Sequence, residues 1–254
     1  MKTAVRNYID ELSMESRRRV SRNFEQETGE FAFLLAKLVG TLQRYHASHP
    51  LHESDNPKQV AFALMTKGAN TLMASFELVL TGYMGESEIL LRSSLERFAV
   101  AWDVVHNAER FRAWKDGKKF DSSDSISGLK KEVEPVGKLY GYLSNIHVHT
   151  TPKNSSPSML WDGDTQKFQF FGFLSPGKEH LLKGQIYFAL FCAYVLLHLT
   201  ELVFHSYCDD LETIEKIAGE DRVRTVVSER HRQFVEVALA HFKLMADDPA
   251  STLK

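Results

Sequence analysis

The chain has 254 residues, 43% of them hydrophobic and 25% charged, with a formal net charge of −2. These figures describe a soluble globular protein with material for a sizeable core, and the charge excludes nucleic-acid binding over the whole surface while leaving room for a local basic patch. The start, MKTAVRNYIDELSMESRRRV, mixes polar and charged residues and carries no signal-peptide pattern. Cys192 and Cys208 fall on one predicted helix, about 24 Å apart at ~1.5 Å per residue, too far to bridge. A reducing, cytoplasmic setting is therefore expected.

Residues 3–22 read as a helix with a basic end, Arg17, Arg18, Arg19 and Arg22, either solvated or facing an anionic partner. Residues 22–47 continue helically, with Phe24, Phe31, Leu34, Leu35, Leu38 and Leu42 at helical spacing and a bend allowed at Gly29. HASHPLHESDNP is a polar connection. A helix from Lys58 to Thr81 and a turn at Gly82-Tyr83-Met84-Gly85 then predict an antiparallel helical hairpin. Its second arm, Gly85 to His106, is apolar nearly all round and so is expected to be buried.

Against that apolar surface, Arg92, Glu96, Asp103 and His106 fall within about 80° of one another on the wheel. The stripe is either an Arg92–Glu96 structural pair or the wall of a polar pocket. ERFRAWKDGKKFDSSDS follows and reads as a helix end and a flexible loop. Val136 to His149 reads as a short helix that places Tyr140, Ser144 and His147 within about 60° of one another. A histidine with a serine and a tyrosine suits acid–base work or phosphate binding, while a capped helix end explains the same residues without chemistry. Aromatic, alternating residues over 158–173 predict a β-hairpin turning at Asp162-Gly163. Gly177 to about Tyr207 is the second apolar helix. Its uninterrupted apolar run, Ile186 to Leu197, is too short to span a bilayer, so no membrane partner is expected.

Metal ligation finds little support. His198, Glu201 and His205 share a face, but neither a Glu-x-x-His pair nor a His-Glu-x-x-His motif occurs. His46, His49 and His52 have metal-like spacing, yet Pro50 interrupts any common helical face. No phosphate-cradling glycine loop and no Cys-x-x-Cys is present. No metal and no cofactor is expected.

The order Leu91-Arg92-Ser93-Ser94-Leu95-Glu96, then Tyr140 and Leu143-Ser144-Asn145-Ile146-His147, resembles a group of bacterial all-α proteins distantly similar to HEPN domains. Those proteins carry an Arg-Ser-x-x-Glu helix and a later Tyr-x-x-x-Ser-x-x-His element. The resemblance spans about residues 60–206 and implies a bundle in which the arginine, glutamate and histidine converge on one cavity. HEPN proteins include metal-independent RNases, toxins and phage-defence factors, whose catalytic signature is an arginine and a histidine with four to six residues between them. Neither His147 nor His149 has an arginine at that distance. Arg44 with His49 and Arg224 with His231 do match, but chance supplies about two such pairs in a chain with 11 histidines.

The fold class expected is all-α: one domain, 1–254, forming a bundle of six to eight helices with a small inserted β-hairpin. It divides into an N-terminal helical arm at 1–50, a core at 57–207 and C-terminal helices at 209–247. The resemblance implies a protein acting on or binding RNA or nucleotides, in stress response or phage defence. Arg92 would clamp a phosphate, Glu96 would orient it or act as base, and His147 would serve as acid–base residue beside Ser144. Tyr140, His149 and Asp103 are the ligand-binding candidates. The other reading is a non-enzymatic interaction module, a homodimer, whose stripe only sets helix register.

Overall fold

The computed structural model describes residues 2–49, 56–118, 120–147, 159–162, 167–170 and 179–208. The expected C-terminal helices at 209–247 lie outside the described residues. Those described form an all-α bundle with eight α-helices: α1 (Lys2–Asn23), α2 (Glu25–Ser48), α3 (Pro57–Thr81), α4 (Met84–His106), α5 (Ala108–Lys115), α6 (Ser122–Leu129), α7 (Glu134–His147) and α8 (Glu179–Phe204). A 3-10 turn, His205–Tyr207, follows α8.

The α3–α4 hairpin is the most tightly joined unit. Asn56 opens α3 by accepting the Lys58 N–H at 2.9 Å, with Pro57 in the first turn, where its missing N–H costs nothing. Gly82 closes α3 in the left-handed region at φ 94°, and the Tyr83 N–H reaches back to the Leu78 carbonyl at 2.8 Å. The two helices then pack antiparallel. Ser94 Oγ donates to the Gly68 carbonyl at 2.8 Å, and Ser75 Oγ to the Ser87 carbonyl at 2.9 Å. Gly68 permits this approach, since a β-carbon there would lie 2.5 Å from the ring of fully buried Phe98. Gly68→Ala is expected to lower stability by roughly 1–3 kcal/mol despite the better helix propensity of alanine. Urea unfolding checks this, and Phe98→Leu in the same chain should recover part of the loss.

Helix α2 lies between α3 and α8. Phe31 stacks on Phe76 at 3.7 Å and Tyr45 meets Phe62 at 5.8 Å, so α2 and α3 run antiparallel. Tyr187 donates to Glu27 at 3.0 Å and Tyr45 packs on Phe204 at 4.6 Å, so α2 and α8 run parallel. The chain breaks between α1 and α2 at Phe24 (φ −135°, ψ 37°), whereas Gly29, the expected bend, sits inside α2. Helix α8 is longer than its apolar run. By length and composition it could cross a membrane, and 72% of its most apolar window is instead buried in the bundle. Burial, not the shortness of the run, identifies it as a core helix.

The segment after α4 is not the expected flexible loop. It holds α5 and α6, each started by a capping side chain. Asn107 accepts the Glu109 N–H at 3.1 Å, and Asp121 accepts the Ser123 N–H at 2.9 Å. Helix α6 buries Ser125, Ile126 and Leu129 beneath a polar exterior. Helix α7 begins with Pro135 in its first turn and is described as far as His147; the expected continuation to His149 lies outside the described residues. Beyond it, Met159–Asp162 and Lys167–Phe170 pair antiparallel, with Met159 opposite Phe170 and Asp162 opposite Lys167. In this register Asp162 is paired with Lys167, so it belongs to the ladder and not to the expected turn, and Gly163 lies outside the described residues.

Candidate functional site

The polar stripe of α4 begins one turn earlier than its sequence pattern suggests. Glu88, Arg92 and Glu96 follow one another at single-turn intervals, from the buried start of the helix toward the surface. Arg92 is the best-positioned side chain of the three. Its Nε donates to Glu96 Oε1 at 3.0 Å, and its Nη2 donates to the Tyr140 hydroxyl of α7 at 3.2 Å. The guanidinium carbon also stands 5.3 Å from the centre of the Tyr140 ring. The Arg92 and Glu96 side chains keep 22% and 25% of their exposure. Burial works against the arginine charge, but the bond to Tyr140 and the charge of Glu96 outweigh it, and the Arg92 pKa stands above its usual value.

The structure therefore joins three of the expected site residues, Arg92, Glu96 and Tyr140, and lays α7 across α4. Ser144 is one turn farther along α7. Its Oγ is buried, and no described residue bonds it. His147 is the last residue of α7, its side chain lies outside the described set, and His149 lies wholly outside it.

Asp103 does not join this group. The wheel places it near the Arg92 azimuth, but eleven residues separate them, about 16 Å along the axis at ~1.5 Å per residue. Asp103 Oδ2 instead accepts from Ser125 Oγ of α6 at 2.7 Å and from Arg110 Nε of α5 at 2.9 Å. Arg110 also reaches Asp124 at 3.4 Å and covers the Phe120 ring at 4.4 Å. The hydrogen bond from Arg110 to Asp103, helped by both carboxylates, holds the arginine pKa above its usual value. Asp103 is thus the structural fastening of α5 and α6 to α4. His106, the other end of the stripe, stacks on Trp102 and places Nδ1 2.8 Å from the Trp102 carbonyl.

Sequence reasoning missed Glu88. It reads as a first-turn acid suited to the helix dipole, yet it is buried, at 5% exposure. Gln185 Nε2 of α8 donates to Glu88 Oε1 at 2.6 Å, and Tyr142 of α7 hydrogen-bonds the same carboxyl. Burial pushes the Glu88 pKa up to about 7, against the opposite pull of Gln185 and Tyr142. The same low-polarity surroundings, with the Glu88 charge, push up the Cys192 thiol and the Tyr142 hydroxyl. The only sequence signal was position: Glu88 sits one turn before Arg92 on a helix whose neighbouring residues are apolar.

The remaining candidates separate by exposure. His198 and Glu201 approach to 3.8 Å at the surface, each side chain nearly half exposed, and His205 Nδ1 lies 3.3 Å from Ser206 Oγ. Among the described residues no group of three or more metal-ligating side chains converges. Of the basic end of α1, Arg17 pairs with Glu77 and Arg19 approaches Glu15 at 3.9 Å. Arg44 and His49, the pair dismissed by the chance estimate, both reach Tyr207. Arg44 Nε donates to the Tyr207 carbonyl at 2.6 Å, and the Tyr207 hydroxyl lies 3.3 Å from His49 Nδ1. Arg224 and His231 lie outside the described residues. Comparison of the chain with protein-family models, with curated proteins and with solved structures returns no match.

Proposed function

We propose that the chain is a HEPN-like helical protein of the bacterial cytoplasm that binds RNA or a nucleotide at Arg92, in stress response or phage defence. The observation that supports this is the bracing of Arg92. Glu96 holds its Nε and Tyr140 one of its terminal nitrogens, so the guanidinium plane has a fixed orientation at the rim of the bundle. Among the described residues these bonds use two of the five N–H donors that an arginine carries. A phosphate meeting a guanidinium already held in place avoids most of the side-chain ordering cost of binding. In this reading Glu96 orients Arg92, Tyr140 sets its tilt, and His147 and Ser144 at the end of α7 supply the acid–base groups.

A second reading keeps the stripe structural and makes the protein a dimeric interaction module. Asp103 favours it, because that carboxylate is already committed to Ser125 and Arg110. Titration with labelled single-stranded RNA and with mononucleotides separates the two. Arg92→Ala is expected to weaken binding at least about tenfold, equivalent to ~1.4 kcal/mol, and Arg92→Lys should recover only part of it. Incubation with mixed RNAs, with and without EDTA, then shows whether bound RNA is cut. Loss of binding in Arg44→Ala but not in Arg92→Ala would move the site to the end of α2. No binding by the unaltered protein at low salt leaves the module reading.

A further inference from the structure

Glu88 sits where three helices meet, and none of the roles assigned to Arg92 uses it. From α8 it faces Gln185, 2.6 Å away, and Cys192; from α7 it faces Tyr142. From α3 the polar group at this level is Ser75, whose hydroxyl is bonded to the Ser87 carbonyl. On its own helix Arg92 is one turn farther, bonded to Glu96 and Tyr140. Helices α5 and α6 meet α4 at its other end, around Asp103. The acids of α2 at this end of the bundle, Glu27 and Glu30, face Tyr187 and Tyr194. Leu91, one turn farther along α4, and Phe188 of α8 are buried, and the Tyr142 ring packs edge-on against Phe188 at 5.1 Å.

We propose that Glu88, Gln185 and Tyr142 form a protonation latch: with a neutral carboxyl they clamp α4, α7 and α8 together, and ionisation of Glu88 releases α7 and breaks the Arg92–Tyr140 contact. A neutral carboxyl accepts the Gln185 amide on one oxygen and keeps an O–H to donate. Loss of the proton leaves a full charge in a buried layer, where the bonds from Gln185 and Tyr142 do not offset the desolvation and hydration lowers the cost. Water must then enter past one of the two covering helices. Helix α7 has 14 residues and α8 has 26, most of the latter held by core side chains, so α7 yields first. Tyr140 and Tyr142 share α7, so a displacement that hydrates Glu88 also withdraws the hydroxyl that braces Arg92. The latch depends on the contacts of Glu88 and not on what Arg92 binds.

The test is amide hydrogen exchange of the full chain across pH 6 to 8, corrected for the intrinsic pH dependence of exchange. Residues 136–143 should lose protection about tenfold between these limits, as expected when a group held near neutrality in the closed state and near the ordinary carboxylate value in the open state controls the opening. Glu88→Gln should remove that pH dependence while leaving the protection of α3 unchanged. Tyr142→Phe, which keeps the ring and deletes a bond that favours the ionised carboxyl, should move the midpoint to higher pH. Infrared titration of the unaltered protein should show a protonated carboxyl band at pH 6 that fades by pH 8, and this readout stands even where Glu88→Gln fails to fold. The same pH dependence in Glu88→Gln as in the unaltered chain, or a carboxylate already ionised at pH 6, would overturn the latch.

Discussion

Asp103→Ala is expected to lower the unfolding free energy by about 3 kcal/mol, at the lower end of what breaking a buried ion pair costs. The side chain retains only 11% exposure, and the loss strands two donors, Arg110 Nε and Ser125 Oγ, at the base of α5 and α6. Arg110 keeps Asp124 and the Phe120 ring as partners, which limits the damage on its side. Ser125 is buried at 1% exposure with its hydroxyl aimed at the missing carboxylate, and so carries the full desolvation penalty. Urea unfolding gives the magnitude. Limited proteolysis gives the location: new cuts should concentrate within residues 108–129. A loss below about 1 kcal/mol would mean that these helices are held by Ile126 and Leu129 packing alone.

The second large effect is the pH dependence of stability produced by Glu88. Its pKa is about 7 in the folded chain against 4.5 for the ordinary group. Between those values the folded state binds more protons than the unfolded one, so stability from this group falls as pH rises through that window and levels off above it. A difference of this size corresponds to roughly 3 kcal/mol at ~1.4 kcal/mol per unit. Every other ionisable group adds its own slope, so the quantity to measure is the difference between Glu88→Gln and the unaltered protein. That difference should shift in favour of Glu88→Gln by roughly 3 kcal/mol between pH 4.5 and pH 8. Parallel stability curves for the two proteins would show that the carboxyl is not held in a dry layer.

Much of this architecture could be read from periodicity. The α3–α4 hairpin follows from two apolar helical patterns around Gly82. The Arg92–Glu96 pair follows from their spacing on one helix, and the approach of Tyr140 from its position on the polar face of α7. What stayed hidden has specific causes. A helical wheel gives azimuth but not height, so it grouped Asp103 with Arg92 although their partners lie on different helices. Glu88 looked like an ordinary first-turn acid because its burial comes from α7 and α8, neither adjacent to it in sequence. Helices α5 and α6 were concealed by polar composition, and their signal was in the caps, Asn107 and Asp121, not in a long apolar stripe. Periodicity also marks which face of a helix is apolar without giving its direction, so the parallel pairing of α2 with α8 had no signature in the residues of either helix.

That parallel pairing sets a timetable for synthesis. The hydroxyl that Glu27 accepts belongs to Tyr187, 160 residues later. At ~5–20 residues per second a ribosome needs roughly 8–30 s to add that length of chain. Throughout that interval the apolar face of α2 that will meet α8 has no permanent cover, while the α3–α4 hairpin, joined by a tight turn, can form as soon as it emerges. The bundle is therefore built around its middle and closed by its ends, and during the wait the newborn chain is exposed to aggregation and to capture by chaperones that bind apolar helices.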